Sequence, residues 1–118
     1  MIIIVVIMTR RNGKNFDANT IAELMRFWYV SNRETDDNRN QFYCGITNDP
    51  ETRKDTHERE DHNGREIVKM LVYECENVDI AIDTESIMGE KGFDIGTPRY
   101  PGNGAADDSK YVYLYRKP

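Results

Sequence analysis

The first eight residues form the only strongly apolar run of the chain. Met1–Met8 is rich in β-branched isoleucine and valine, and the polar segment Thr9–Gly13 follows it. The run is too short to cross a bilayer as a helix, and its composition favours a buried β-strand. It has neither a basic start nor a small-residue cleavage site, so it does not resemble a signal peptide. We therefore predict a buried first strand that stops at Thr9–Gly13.

Length, charge and cysteine content limit the class of protein. The chain has 118 residues, which corresponds to one domain, and 31% of them are charged, as in soluble proteins. The net charge of −5 argues against an extended basic face, but an enzyme needs only a local cationic patch. Cys44 and Cys75 make no disulfide framework, so we expect two buried thiols in a reducing, cytoplasmic compartment.

The first half of the chain predicts a helix followed by a β-hairpin. Asp17 is a candidate N-cap for a helix that reaches Arg26, with one apolar face. Phe27–Val30 is aromatic and β-branched, as is typical of strands, and Gln41–Ile46 has the same character. The polar segment between them is predicted to be the hairpin loop.

The second half predicts two further helices and two further strands. Asn48 and Glu51 form a capping pattern that starts a helix over Pro50–Asp61, and this helix has almost no apolar residue. The remaining predictions are a strand over Ile67–Glu74, a helix from Asn77 or Asp79 to Met88 closed by Gly89 or Gly92, a loop over Thr97–Ser109, and a strand over Tyr111–Tyr115 with its three tyrosines on one side.

Five side chains could carry chemistry: Tyr29, Tyr43, Arg53, Glu85 and Asn103. A guanidinium grips a phosphate through two parallel hydrogen bonds, so Arg53 is a candidate phosphate ligand. Glu85 shares a helix face with apolar residues, where a carboxylate needs an ion-pair partner or a metal. One carboxylate completed by phosphates and waters is a common magnesium site. Each residue also has a structural reading, in which the tyrosines pack in the sheet and Glu85 forms an ion pair.

The order of these residues resembles the motifs of the GIY-YIG nucleases. Tyr43–Arg53 is similar to the second motif, a Tyr-x-Gly strand followed by Thr, a turn and an Arg on a helix, and His57 matches a His often found one turn later. Phe27–Tyr29 stands in the place of the first motif. Ala81–Glu85 resembles the helix that carries the metal ligand, and Gly102–Gly104 the terminal Asn segment.

The resemblance covers Phe27–Lys117 and implies a fold and an activity. The fold would be α+β, a small and mainly antiparallel sheet (the hairpin plus a third strand) flanked by helices, within a single domain 1–118 whose residues 1–26 add a strand and a helix. The activity would be hydrolysis of phosphodiester bonds in DNA by a Mg²⁺- or Mn²⁺-dependent endonuclease, and structured RNA is left open as the alternative to DNA.

The resemblance also implies roles for individual residues. Glu85 would hold the metal ion, Arg53 would stabilise the transition state, and Tyr43 would be the general base. Tyr29 and His57 would position groups or relay protons. Arg53, Lys54 and Asn103 would contact the substrate.

Two departures keep other functions open. Phe27 and Trp28 replace the glycine and isoleucine of the first motif, and Lys54 stands where the family usually has an apolar residue. The alternatives are a nucleic-acid or protein binding module on the same fold and an unrelated α+β interaction protein. A homodimer is also left open, whereas membrane association is not expected.

The remaining charged residues give two expectations. His57 and His62 are five positions apart, so on an α-helix they would not share a face, and a zinc site is not expected. The acidic residues between them are read as a solvated face. The basic residues are expected to gather on one side of the molecule, and the candidates are Arg10, Arg11, Lys14, Arg53, Lys54 and Arg99.

Overall fold

The computed structural model describes residues 7–96 and 108–118. Its strands are β1 (Ile7–Asn12), β2 (Phe42–Thr47), β3 (Lys69–Glu74) and β4 (Tyr111–Arg116). Its α-helices are α1 (Ala18–Asn32), α2 (Pro50–Thr56) and α3 (Val78–Glu90). A short 3-10 turn, Arg39–Gln41, precedes β2, and a π-turn, His57–Asp61, continues α2. The predictions for residues 1–6 and 97–107 lie outside the described residues.

The strands form one mixed sheet in the order β1-β3-β4-β2. β4 is antiparallel to both β3 and β2, and β1 is parallel to β3. The predicted α+β class is confirmed. The predicted stop of the first strand at Thr9 is wrong, because Thr9–Asn12 continues the pairing with Leu71–Glu74 of β3.

The predicted hairpin is wrong, because Phe27–Val30 belongs to α1. Asp17 caps this helix as predicted, with its Oδ1 accepting a hydrogen bond from the Thr20 amide at 2.8 Å. Ile21, Met25 and Tyr29 lie four residues apart and bury one continuous helical face, so the helix does not end at Arg26. Packing of this face outweighs the strand preference of the aromatic residues. The antiparallel neighbour of β2 is instead β4, from the far end of the chain.

The other two predicted helices are confirmed, with small shifts at their ends. Asp49 rather than Asn48 caps α2, accepting from the Thr52 amide at 3.2 Å. The final turn of that predicted helix is the π-turn. Asn77 caps α3, accepting from the Ile80 amide at 3.0 Å.

The two faces of the sheet have different coverings. Side chains alternate along a strand, so Cys44 of β2 and Leu114 of β4 point to one face and Tyr43 and Tyr113 to the other. Helices α1 and α3 cover the first, here called the α1/α3 face, and build the larger apolar core. The π-turn covers the second, here called the α2 face, through hydrogen bonds to tyrosines of β4.

Both cysteines are buried free thiols, as predicted. Burial raises the pKa of the Cys75 thiol to about 11 and that of Cys44 well above its usual range. Thiolates, the reactive form, are therefore disfavoured at both positions. Within residues 7–96 and 108–118, no helix is both long enough and apolar enough to span a membrane.

An ion pair ties the segment after α1 to the end of β4. Asp37 is buried, and both of its carboxylate oxygens accept hydrogen bonds from Arg116, at 2.7 and 3.1 Å. Arg116 also contacts Glu34, whose side chain is 71% exposed. The hydrogen bonds from Arg116 hold the pKa of Asp37 below its usual range, because they favour the charged carboxylate.

We expect Asp37→Asn to lower the free energy of unfolding by about 1.5–3 kcal/mol at neutral pH, since it removes the charge from a buried bond to Arg116. A lowered folded-state pKa stabilises the fold above the unfolded pKa, about 4, and this stability is lost as the pH falls through the folded value. Urea unfolding of both proteins across this acidic range should show their difference shrinking. Glu34→Gln is the matched control and should cost under about 1 kcal/mol. Equal losses in the two variants would contradict this account.

Candidate functional site

An open pocket of about 470 Å³ lies on the α2 face. It is formed where the start of β2, the end of β4 and the α2–π-turn segment meet, with the residues after α3 at its rim. Most of its lining is polar or aromatic: Tyr43, Arg53, Thr56, His57, Glu60, Asp61, His62, Asp94, Gly96, Tyr115 and Lys117.

Three residues that the sequence singled out come together in this pocket. Tyr43 and Arg53 are half-buried, and His57 is buried beside them. The rings of Tyr43 and His57 meet edge to face, with centroids 4.9 Å apart. The second motif is therefore arranged as one cluster, with the tyrosine from β2 and the arginine and histidine from the α2–π-turn segment.

His57 is held at both ring nitrogens. Its Nδ1 lies 2.6 Å from Oδ2 of Asp61, and its Nε2 lies 2.6 Å from the hydroxyl of Tyr113. An ionised carboxylate can only accept, so Nδ1 donates to Asp61. In the neutral ring Nε2 then accepts the hydroxyl proton of Tyr113. This arrangement fixes both the tautomer and the orientation of the imidazole.

The π-turn explains why the two histidines share a face. His62 Nε2 lies 2.9 Å from the hydroxyl of Tyr115, one pleat along β4 from the contact of His57 with Tyr113. The expectation that residues five apart would point in different directions is wrong here. It assumed α-helical geometry, whereas a π-turn bonds residue i to i+5 and so brings positions five apart into line.

Gly45 leaves room for the hydroxyl of Tyr113. These residues are directly paired across β2 and β4, and a Cβ on Gly45 would overlap the Tyr113 hydroxyl. The rings of Tyr113 and Tyr115 are stacked, with centroids 6.3 Å apart. Burial raises the pKa of both phenols well above their ordinary value, so both remain protonated donors to the histidines.

Some charged side chains of the pocket form ion pairs and others do not. Lys117 is paired with Asp94, with Nζ 2.6 Å from Oδ2. Burial alone would raise the pKa of Asp94, but the hydrogen bonds from Lys117 and the Gly96 amide lower it below its usual range. Within residues 7–96 and 108–118, Arg53 forms no ion pair. Among the described residues that line the pocket, its guanidinium is therefore the cation that no carboxylate engages.

Other residues singled out by the sequence lie elsewhere. Tyr29 is 4% exposed in the core of the α1/α3 face, where its ring packs on Phe42 and Phe93. Glu85 is half-buried on α3, which covers that same face, and it is not among the lining residues. Lys54 pairs with Glu58 at 2.8 Å, also away from the lining. Asn103 lies outside the described residues.

The expected basic side of the molecule is interrupted by carboxylates. Arg10 pairs with Glu51 of α2, and Lys14 lies 3.4 Å from Glu74. Arg11 donates to the hydroxyl of Tyr73 at 3.1 Å. Arg99 lies outside the described residues. These pairings reduce the local positive charge that a nucleic acid would meet around β1.

Sequence reasoning missed several residues that build the pocket: Asp61, His62, Tyr113, Tyr115 and Lys117. The four-residue spacing of His57 and Asp61 was visible, but the acidic segment was read as a solvated face. The alternating tyrosines of the last strand were recognised, yet nothing local to them indicated that they would face the histidines. The register of β4 against β2 supplies that information.

The described residues do not bring a metal site into the pocket. No group of three His, Cys, Asp or Glu side chains within residues 7–96 and 108–118 is arranged to hold a metal ion. The single carboxylate expected as a ligand, Glu85, belongs to the α1/α3 side of the sheet, whereas Arg53 lines the pocket on the other side. The residues that line the pocket therefore do not fit an ion held jointly by Glu85 and a phosphate at Arg53.

Comparison with protein-family models, curated proteins and solved structures gave no match for this chain. The similarity to the GIY-YIG nucleases therefore stays a prediction that depends on the motif residues.

We expect Gly45→Ala to disturb the pocket, because the added methyl group overlaps the Tyr113 hydroxyl and the strand is tightly paired there. Overpacking of this kind costs about 1–3 kcal/mol. Urea unfolding would measure that loss, and the imidazole NMR signals of His57 would report the displaced Tyr113 hydroxyl.

Gly64→Ala is the control for this substitution. No atom of residues 7–96 or 108–118 lies within 4 Å of the added Cβ there, although the backbone φ of +80° is unfavourable for alanine. It should lower stability and leave the His57 signals unchanged. Unchanged His57 signals in Gly45→Ala would contradict the proposed contact.

Proposed function

We propose that this chain is an endonuclease that hydrolyses a phosphodiester bond of nucleic acid, DNA in the first instance, in the pocket on the α2 face. The observation that carries the proposal is the convergence of Tyr43, Arg53 and His57 on one solvent-open pocket. These are the residues of the most complete motif in the sequence. An available guanidinium at such a pocket is suited to a phosphate, since it offers two parallel hydrogen bonds and a fixed charge.

In this proposal Arg53 binds the scissile phosphate and stabilises the charge that develops on it. Tyr43 lines the same pocket as Arg53, and its hydroxyl can donate a hydrogen bond to a phosphate oxygen. His57 is held by Asp61 and Tyr113, so it contributes order to the pocket rather than a free ring nitrogen. No step is assigned to a metal ion.

A second candidate is a nucleic-acid or protein binding module without catalysis. The observations that favour it are the separation of Tyr29 and Glu85 from the pocket and the carboxylates paired with Arg10 and Lys14. The two proposals make different predictions for one assay. Labelled single-stranded, duplex and branched DNA, and a structured RNA, are incubated with the chain in Mg²⁺, in Mn²⁺ and in EDTA. Cleavage in any arm supports the nuclease, and binding without cleavage in every arm supports the module.

We expect Arg53→Ala to lower the cleavage rate about a hundredfold or more, because removing one contact to transition-state charge costs about 3–4 kcal/mol. Arg53→Lys should recover only part of the rate, since an ammonium group lacks the two-pronged geometry. Single-turnover cleavage measures both. Arg59→Ala is the matched control, because Arg59 is on the same segment but is exposed and paired with Asp55 outside the pocket. Equal effects at Arg53 and Arg59 would count against this pocket as the site.

The resemblance predicts in addition that Glu85→Gln weakens the response to Mg²⁺. Glu90→Gln, on the exposed side of the same helix, is the control. A titration of cleavage against Mg²⁺ compares the two variants. An unchanged titration for Glu85→Gln would remove Glu85 from the reaction while leaving the pocket proposal standing.

A further inference from the structure

Asp61 is a pocket carboxylate that is held by a buried histidine. It is the last residue of the π-turn and lines the pocket together with Arg53. Its Oδ2 is 2.6 Å from Nδ1 of His57, while its side chain remains 56% exposed. One carboxylate oxygen is thus anchored, and the side chain still reaches solvent on the pocket side.

The anchor is itself buried and rigid. The His57 side chain is 8% exposed, and its Nε2 accepts from Tyr113, which is buried within the sheet. Asp61, His57 and Tyr113 therefore form one hydrogen-bonded chain that runs from solvent to the central strand. A carboxylate that accepts a hydrogen bond from Nδ1 of an oriented imidazole has a fixed orientation. General acid–base groups need such positioning.

The other carboxylates of the pocket are held differently. Asp94 is engaged by Lys117, which neutralises its charge. Glu60 is exposed, lines the pocket next to Asp61, and makes no hydrogen bond or ion pair among the described residues. Asp61 alone combines pocket exposure with a buried hydrogen-bond anchor in this part of the chain.

We propose that Asp61 is the general base of the hydrolysis, and that His57 and Tyr113 are the positioning residues that hold it. The inference rests on the proposed nuclease function. In the step, a water oxygen forms a bond to phosphorus while one water proton passes to Asp61. The bond from phosphorus to the leaving oxygen breaks, and that oxygen takes a proton from solvent water. Asp61 then returns its proton to solvent.

The chemistry of the side chains favours Asp61 over a tyrosine for this role. An unperturbed aspartate has a pKa of about 3.9, so it is already a proton acceptor at neutral pH, whereas an ordinary phenol with a pKa of about 10 is not. The Tyr43 hydroxyl remains suited to donate a hydrogen bond to the phosphate. The charged and titratable groups that line the pocket with Asp61 are His57, Glu60 and His62 of the same segment, Arg53 of α2, Tyr43 of β2, Tyr115 of β4, and Asp94 and Lys117 at the rim.

The test compares Asp61→Asn with Glu60→Gln in single-turnover cleavage of the nucleic acid that the unmodified chain cuts best. Both variants remove one negative charge from neighbouring exposed positions of the pocket. An amide oxygen at position 61 still accepts from His57, so the fold is expected to survive. We expect Asp61→Asn to lower kcat about a hundredfold or more with little change in KM, since general base catalysis contributes about 10²–10⁴ in rate. Glu60→Gln should change kcat less than about threefold, since it removes charge alone.

The pH profile separates catalysis from structure. With Asp61 as the base, log kcat of the unmodified chain should fall with unit slope at acid pH as the carboxylate is protonated, and Asp61→Asn should lose this limb. Tyr113→Phe should lower kcat and move the limb, because it releases the Nε2 end of His57. Tyr115→Phe, which releases His62 instead, should leave the limb in place.

The possible results are distinguishable. If Asp61→Asn keeps both kcat and the acid limb while Arg53→Ala still loses cleavage, the role of Asp61 is overturned. The nuclease proposal then stays intact. Equal losses of kcat in Asp61→Asn and Glu60→Gln would show that the loss comes from the charge of the pocket alone. That result also overturns the role of Asp61 as general base. No cleavage by the unmodified chain under any condition overturns both proposals.

Discussion

The hydrogen bond between His57 and Tyr113 attaches the α2–π-turn segment to the sheet. The α2–π-turn segment is almost without apolar side chains, and its buried residues are Pro50 and His57. A helix normally attaches to a sheet by burying an apolar stripe. Here the attachment depends on polar contacts to two tyrosines, His57 to Tyr113 and His62 to Tyr115. Buried hydrogen bonds depend on direction, so they fix the position of the segment more narrowly than apolar contacts would.

This attachment also decides the form of the pocket. Arg53 and Asp61 belong to the segment, and Tyr43 belongs to the edge strand beneath it. Their relative placement depends on a π-turn that points both histidines at the same strand. Such turns are frequent at functional sites, where one extra residue per turn re-aims a side chain. The proposed roles of Arg53 and Asp61 require this alignment, because a phosphate ligand and a base must face the same bound group.

Local patterns predicted most of the elements and three of the eleven residues that line the pocket. The caps at Asp17 and Asn77 and the tyrosine alternation of β4 are short-range signals, and the structure agrees with them. The strand prediction for Phe27–Val30 was wrong because burial of a helix face stabilises the helix more than strand propensity favours a strand. The Tyr43–Arg53 spacing identified one side of the pocket. The other side depends on β4 lying beside β2 and on the π-turn, and neither a long-range pairing nor a widened turn leaves a reliable local signature.

The central position of β4 has a consequence for how the chain folds. β4 is the last strand in sequence, yet it separates β2 from β3, and it pairs with all six residues of β2 and with five of the six of β3. During synthesis β2 would wait for residues some seventy positions later before it acquired the strand that pairs with it along its whole length. Closing so long a loop is entropically costly and slow, and the sheet cannot be completed from nearby segments first. Until then β2 would lack its strand partner, and such an unpaired strand edge makes this protein a candidate for chaperone capture while it is being made.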